Sequence, residues 1–120
     1  MKISEIQRNN FFNHASQGCI KISSVNYEKK LIHAQTVGVI SSEDLMGINL
    51  SEKWIERFGF TKVSSEAYLD VQVTVFKKEN VFLGHFSNGK IRVTYNGKSF
   101  EIEYVHQLQD FLLKLNGHNF

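Results

Sequence analysis

The segment YVHQLQDFLLKLNG, residues 104–117, carries three polar side chains that could recognise a ligand. His106, Gln107 and Gln109 lie where an alternating run of residues gives way to a helical pattern. The first amides of a helix lack partners within the helix, so a His or Gln side chain there can bond to backbone or to the adjacent strand. The same amides and side chains could instead hold an anionic or nucleobase-like ligand. The sequence leaves both roles open and makes these residues candidate ligand-binding residues.

A small group of cations is the second candidate for ligand binding. Lys90 and Arg92 could form a basic patch with Lys77 and Lys78, although a solvated hairpin surface is the commoner reason for such lysines. The whole chain has 14 Lys and Arg against 12 Asp and Glu, a net charge of +2. That charge does not by itself indicate a nucleic-acid partner.

Five histidines raise the question of a metal site. His14 and Cys19 could converge with His33 across neighbouring strands. No histidine pair has a compact ligand spacing, however, and there is no second cysteine to complete such a site. The spacing favours surface or hydrogen-bonded histidines, and we predict neither a metal nor a cofactor.

The sequence also offers few groups for catalysis. Cys19 lies in the alternating run CIKIS without an evident base, which favours a structural cysteine. Glu101 and Glu103 lie on one strand face, and no apolar pocket is indicated that would separate their pKa values. The segment GHFSNGK, residues 84–90, fits the pattern G-x-x-x-x-G-K, but Ile91 stands where a phosphate-binding loop has Ser or Thr. We therefore expect no catalytic residue and predict that the protein is not an enzyme.

The elements that position these residues are indicated by a change of period along the chain. Residues 1–48 look like a small β-rich subdomain, because CIKISSV (Cys19–Val25) alternates and KLIHAQTVGVI (Lys30–Ile40) is rich in β-branched residues. Short strands separated by turns at this spacing predict a small curled β-sheet or partial barrel.

Residues 49–120 are predicted to begin with a short helix. Its apolar face is formed by Leu50, Trp54, Ile55 and Phe58. Ser51 is the predicted N-cap, and Gly59 is expected to end the helix in the left-handed conformation.

A four-stranded antiparallel meander is predicted to follow, because the period is two from Tyr68 to Tyr104. Asn88-Gly89 and Asn96-Gly97 are typical of two-residue hairpin turns. The predicted strands are residues 68–77, 80–87, 90–96 and 98–105. A final helix, with an apolar face at i, i+3, i+4 and i+7 and an end at Asn116-Gly117, is expected to cover the meander. The predicted fold class is therefore α+β, and residues 49–120 are expected to form one compact unit.

The phrases LSEKWIERFGF and YVHQLQDFLLKLNG resemble a family of small uncharacterised proteins of phages and integrated mobile elements of Bacteroidetes. The resemblance covers most of residues 48–117, while residues 1–45 match poorly. It implies the setting of a phage accessory gene, and it assigns no activity to His106, Gln107 or Gln109. Small phage accessory proteins often act by binding.

These observations give three hypotheses of function. The first is a non-enzymatic phage accessory binding protein, including an anti-defence role, that captures a host protein or sequesters a nucleotide-type immune signal. The alternative is a single-stranded nucleic-acid-binding module, in which aromatic rings stack on bases and lysines contact phosphates. The residues for that alternative are Phe11, Phe12, Lys21, Tyr27, Lys29 and Lys30. A cysteine- or metal-dependent enzyme is the least favoured hypothesis.

Composition indicates where such a protein acts. A single cysteine excludes an intrachain disulfide, which fits a reducing compartment. The start MKISEIQRNNFF lacks the apolar run of a signal peptide, and no window reaches the ~18 apolar residues of a membrane span. We expect a soluble protein in the cytoplasm of the infected host cell, without a membrane partner. Because two-fold homo-oligomers are common, a homodimer or higher homo-oligomer is also expected.

Overall fold

The computed structural model describes residues 1–116, and its contacts divide the chain into two compact units. The first unit contains residues 1–49 together with the chain from Tyr104 onward, and the second contains residues 50–103. Two five-stranded antiparallel sheets and a C-terminal helix make the fold α+β, as predicted. No helix within residues 1–116 has both the length and the apolar character needed to cross a membrane.

The sheet of the first unit has the strand order β4-β3-β2-β1-β5. Its strands are β1 (Phe11–His14), β2 (Gly18–Asn26), β3 (Leu31–Ala34), β4 (Gly38–Ile40) and β5 (Leu45–Met46). Short 3-10 helices, Ile3–Glu5 and Ser42–Asp44, lie before β1 and before β5. Strand β5 pairs with β1 on the side away from β2. The first and last strands of this sheet in chain order therefore lie side by side.

The core of the first unit is aliphatic, with one large aromatic side chain at its centre. Phe12 is fully buried among the side chains Ile6, Ile20, Ile22, Ile32, Ala34, Ile40 and Leu45. Helix α2 (Val105–Asn116) adds three buried residues, Val105, Leu108 and Leu112, of which Leu108 and Leu112 belong to the predicted apolar face. The predicted helix end at Asn116-Gly117 is not tested, because Gly117 lies outside the described residues.

The structure assigns α2 to the first unit and thereby corrects the prediction that it packs with the meander. The helix contacts β1, and the chain enters it through an antiparallel bridge between Asn49 and Tyr104. The Val105 N–H also donates to the Ile48 carbonyl over 2.8 Å. The helix pattern was read correctly, but a local pattern does not say which sheet the apolar face will meet.

The second unit is a helix followed by an uninterrupted antiparallel meander in the order β10-β9-β8-β7-β6. Its elements are α1 (Glu52–Arg57), β6 (Thr61–Tyr68), β7 (Val71–Lys78), β8 (Val81–Phe86), β9 (Ile91–Tyr95) and β10 (Lys98–Ile102). The four predicted strands correspond to β7 to β10, so the prediction missed β6. The segment TKVSSEAY lacks apolar alternation and is bulged between Lys62 and Ser64, which hides its period of two.

The turns of this unit follow the predicted glycines with one correction. Asn96 and Gly97 both have positive φ, 51° and 74°, as a two-residue turn requires. Gly89 has φ 93°, whereas the Phe86 N–H donates to the Lys90 carbonyl across an intervening loop of Ser87, Asn88 and Gly89. That turn is therefore one residue longer than predicted, since the glycine alone takes the left-handed conformation. Gly59, at φ 93°, ends α1 as expected.

Helix α1 covers one face of the meander, which we call the inner face. The Lys78 ammonium donates to the Phe58 carbonyl over 2.7 Å, and His85 Nδ1 lies 3.5 Å from a Glu52 carboxylate oxygen. The buried apolar residues of α1 and this sheet include Ile55, Phe58, Phe76, Leu83, Ile91 and Val93. Ser51 occupies the N-cap position of α1, but its hydroxyl makes no capping bond.

Candidate functional site

Gln109, a predicted ligand-binding residue, is fully buried and bonded at both ends of its side-chain amide. Its Oε1 accepts from the Phe11 N–H over 3.0 Å, and its Nε2 donates to the Asn9 carbonyl over 2.8 Å. These bonds satisfy two backbone groups at the start of β1, of which the Phe11 N–H is buried and the Asn9 carbonyl is partly buried. Gln109 thus fastens α2 to β1 in the described fold.

Gln107 lies at the exposed start of α2. Its Oε1 accepts from the Tyr104 N–H over 2.9 Å, which is how a Gln in the first helical turn closes a capping box. The Gln107 N–H in turn donates to the Tyr104 carbonyl. This side chain therefore has a structural bond that competes with any ligand.

Asn10 and Asp110 extend the polar contact between β1 and α2. The buried Asn10 accepts the Gln7 N–H over 2.8 Å and donates to Asp110 Oδ1 over 3.1 Å. Burial raises the pKa of the Asp110 carboxyl, while the Asn10 hydrogen bond and the charges of His106 and Lys114 act to lower it. A half-buried carboxyl is sensitive to any change in this contact.

His106 is buried between two aromatic rings. Its ring centroid lies 4.8 Å from that of Phe12 and 5.7 Å from that of Tyr104. Within residues 1–116, its Nδ1 is buried and has no hydrogen-bond partner. Burial lowers the pKa of His106 below 6.5, and the negative charges of Asp110 and Glu5 partly oppose this shift. The fold therefore holds the neutral imidazole.

We expect this burial to make stability depend on pH. Because the folded pKa of His106 is lowered, its contribution is fully present above the unfolded pKa of about 6.5 and is lost as pH falls toward the folded value. The slope of the free energy of unfolding against pH cannot exceed about 1.4 kcal/mol per pH unit for one proton. Urea unfolding between pH of about 7.5 and 5.5 should show the loss, and His106→Phe should flatten it.

His33→Gln is the matched control for this prediction, since His33 is an exposed strand histidine. Asp110, with its raised pKa, acts in the opposite sense at lower pH, so the comparison begins above neutrality. An equal pH slope in the wild type and in His106→Phe would remove His106 as the cause.

The predicted cations Lys90 and Arg92 lie in the second unit, apart in sequence and in unit from the three polar residues at the start of α2. Lys90 is exposed in the loop before β9, and its N–H donates to Asn88 Oδ1 over 3.0 Å. Arg92 lies on β9 with its guanidinium 5.8 Å from the Phe86 ring centroid and 4.0 Å from a Glu101 carboxylate oxygen. The sequence-predicted residues therefore belong to two different units.

A cleft that the sequence did not reveal lies in the first unit. Its volume is about 630 Å³, and its walls combine polar and apolar side chains. The lining residues are His14, Gln17, Lys30, Val37, Val39, Ile40, Ser41, Ser42, Glu43 and Asp44. We call it the His14 cleft. The pairing of His14 with Leu45, between β1 and β5, brings the 3-10 helix Ser42–Asp44 beside the end of β1.

Backbone amides orient the His14 ring at this cleft. Its Nδ1 accepts from the backbone N–H groups of Ser16 and Gln17, each over 3.2 Å. With that nitrogen acting as acceptor, the proton of the neutral ring is on Nε2. Nε2 lies 3.9 Å from Asp44 Oδ2, too far for a direct hydrogen bond. The cleft thus offers an N–H donor beside a carboxylate acceptor.

The other residues that the sequence marked as candidates do not line the His14 cleft. Cys19 is exposed on β2, and within residues 1–116 no group of three or more His, Cys, Asp or Glu side chains could hold a metal ion. His118 lies outside the described residues. The prediction that Phe11 and Phe12 stack on bases is wrong, because Phe11 is 9% and Phe12 0% exposed. Buried rings cannot receive a nucleobase.

Two features of the sequence mark the His14 cleft: the turn after His14 and the polar run Ser41-Ser42-Glu43-Asp44. Most of the first sheet lies between them in the chain. Comparison of the chain with protein-family models, with curated proteins and with solved structures finds no match.

Proposed function

We propose that this protein is a non-enzymatic binding protein that captures a small nucleotide-type ligand in the His14 cleft. The observation that carries the proposal is the cleft itself, at about 630 Å³, with a fixed histidine donor and an aspartate acceptor on its wall. Small-molecule sites typically have volumes of about 300–1,000 Å³ and a few well-placed polar groups.

The lining suits a molecule that carries both hydroxyl groups and an anionic group. Glu43 and Asp44 supply carboxylates that can accept from sugar hydroxyls, as acidic residues do in many nucleotide sites. Lys30 and the Nε2–H of His14 supply donors for a phosphate oxygen. Because two carboxylates and a single lysine line the cleft, a monophosphate or cyclic phosphodiester fits it better than a polyphosphate.

The binding is proposed to leave the ligand unchanged. A histidine that acts as a general base needs a free ring nitrogen within reach of the proton it removes. Two backbone amides occupy His14 Nδ1, and its other nitrogen carries the proton. Cys19, the sole thiol of the chain, is not among the residues that line the cleft.

The biological role proposed for this binding is that of a phage accessory protein acting against host defence in the cytoplasm of the infected cell. Capture of a host protein is the second candidate, because several large apolar side chains of the first unit are exposed, among them Val39 at 61% and Met46 at 68%. A homodimer formed through such residues is part of the same proposal. We also propose that the first sheet is curled, since β2 changes register between Ile22 and Ser24.

Calorimetric titration with nucleoside monophosphates and cyclic dinucleotides tests the proposal. Lys30→Gln removes the phosphate donor, and Lys29→Gln, the exposed neighbour outside the cleft, is the matched control. A hydrogen bond to a charged group contributes about 1.5–3 kcal/mol, so Lys30→Gln should weaken binding roughly 10- to 150-fold. The control should bind as the wild type does.

Two results would count against this proposal. One is the absence of binding to any nucleotide, and the other is equal weakening by Lys29→Gln and Lys30→Gln. The second result would mean that the ligand is held by general charge attraction and not by the cleft.

A further inference from the structure

The face of the second sheet opposite α1 carries two aromatic and two basic side chains. Strand register places Lys77 opposite Phe82, Phe82 opposite Thr94, and Gly84 opposite Arg92. Residues directly opposite each other share a face of the sheet. Val73 and Phe86 are also paired, which adds Phe86 to the same surface. We call this surface, formed by Lys77, Phe82, Gly84, Phe86, Arg92 and Thr94, the outer face.

Both phenylalanines of the outer face have a cation over the ring. The Lys77 ammonium lies 5.4 Å from the Phe82 centroid, and the Arg92 guanidinium lies 5.8 Å from the Phe86 centroid. Phe82 is 40% exposed, and the Arg92 side chain is 53% exposed. Phe86 is only partly exposed. An exposed apolar ring among cations, such as that of Phe82, is typical of a surface that binds a partner.

Gly84 leaves room for the Phe86 ring because it has no side chain. A Cβ at this position would come within 3.3 Å of Val73 Cγ2 and 3.5 Å of the Phe86 ring. The ring therefore lies over the sheet at Gly84 instead of standing away from it. The backbone positions of Phe82 and Phe86 are separated along β8 by roughly 13 Å, because an extended strand rises about 3.3 Å per residue. The Phe86 ring extends back from its own position toward Gly84.

We infer that the outer face binds single-stranded nucleic acid, with bases stacked on Phe82 and Phe86 and phosphates beside Lys77 and Arg92. Proteins that bind single strands without strong sequence preference combine stacking rings with a basic track, and an open antiparallel sheet is one scaffold for this arrangement. Lys90 lies in the loop before β9, two residues before Arg92, and adds a third cation.

The carboxylates near this surface limit its charge. Glu101 on β10 lies opposite Arg92, with the closest oxygen 4.0 Å from the guanidinium, and Glu66 on β6 lies opposite Val73. Both glutamates lie on the edge strands of the sheet, whereas Lys77 and Arg92 lie next to the rings. We therefore expect binding that is measurable at low salt and weak at physiological salt, because phosphate contacts are salt-dependent. This inference does not depend on the His14 cleft.

Fluorescence anisotropy of the full chain with labelled oligothymidylate of about 12 nucleotides, at about 50 mM salt and above, tests it. Loss of one stacking contact in Phe82→Ser should weaken binding at least about fivefold. Lys77→Gln should lower the slope of log affinity against log salt by about 0.7. Lys53→Gln, an exposed lysine of α1, should change neither quantity.

Several outcomes would overturn the inference: no binding at about 50 mM salt, an affinity unchanged in Phe82→Ser, or equal affinity for a duplex of the same length. Binding of polyglutamate without binding of oligothymidylate would also overturn it and would identify a surface for acidic proteins. If Phe82→Ser fails to fold, as judged by circular dichroism, the salt slope of Lys77→Gln against Lys53→Gln decides.

Discussion

Replacing Gln109 with methionine should lower the free energy of unfolding by about 3 kcal/mol, since one buried and one partly buried backbone group then lose their partners, at about 1–3 kcal/mol for a buried group. Methionine nearly matches the shape of glutamine but can neither accept from the Phe11 N–H nor donate to the Asn9 carbonyl. The face of α2 that packs on β1 would remain apolar and filled. The loss of stability would therefore come from the hydrogen bonds and not from a cavity.

Urea unfolding followed by circular dichroism measures this loss. Gln107→Met is the matched control, because Gln107 is exposed and bonds to the Tyr104 N–H at the helix start. Loss of a cap at such a position costs about 1 kcal/mol. A loss for Gln109→Met no greater than that for Gln107→Met would show that the buried amide does not fasten the helix to β1.

The second large effect is expected from Asn10→Asp. The new carboxylate would lie where the Asn10 amide now donates to Asp110 Oδ1 over 3.1 Å, and burial already raises the pKa of Asp110. Two carboxylates at this distance cannot both ionise cheaply. At neutral pH we expect a loss of about 3 kcal/mol, the size found when a buried charge has no partner.

The sign of the pH dependence distinguishes this cause from lost packing. Because the pair should have a raised pKa in the folded state, the loss is present above that pKa and is relieved as pH falls through it. Asn10→Ala, which also breaks the bond, should show no such relief. The double variant Asn10→Asp with Asp110→Asn restores a donor and an acceptor in reversed positions and should recover most of the stability. Equal stability of the single and double variants would contradict the account.

The sequence predicted the parts of the fold that are encoded locally. Strict alternation and Asn-Gly pairs indicated β7 to β10, and the spacing of apolar residues indicated α2. Strand β6 was missed because Ser64, Ser65 and a bulge interrupt its pattern. The packing of α2 on β1 depends on Gln109 meeting Asn9 and Phe11, about a hundred positions earlier in the chain, and no local period carries that information.

The candidate site was less accessible to sequence reasoning for the same reason. His106 and Gln109 were noticed for their polarity, yet their burial depends on where α2 packs. His14 was considered as a metal ligand, whereas its ring is oriented by backbone amides of the following turn and faces Asp44. Thirty residues separate His14 from Asp44, and the pairing of β1 with β5 brings them together.

The most direct test of capture without chemistry is mass spectrometry of ligand released by heat. The protein is incubated with a pool of mononucleotides and cyclic dinucleotides, freed of unbound compound by gel filtration, and heated to release what it holds. We predict recovery of one nucleotide with its mass unchanged, and loss of that signal in Lys30→Gln but not in Lys29→Gln. Recovery of a hydrolysed or otherwise altered product, or of no nucleotide at all, would contradict the account.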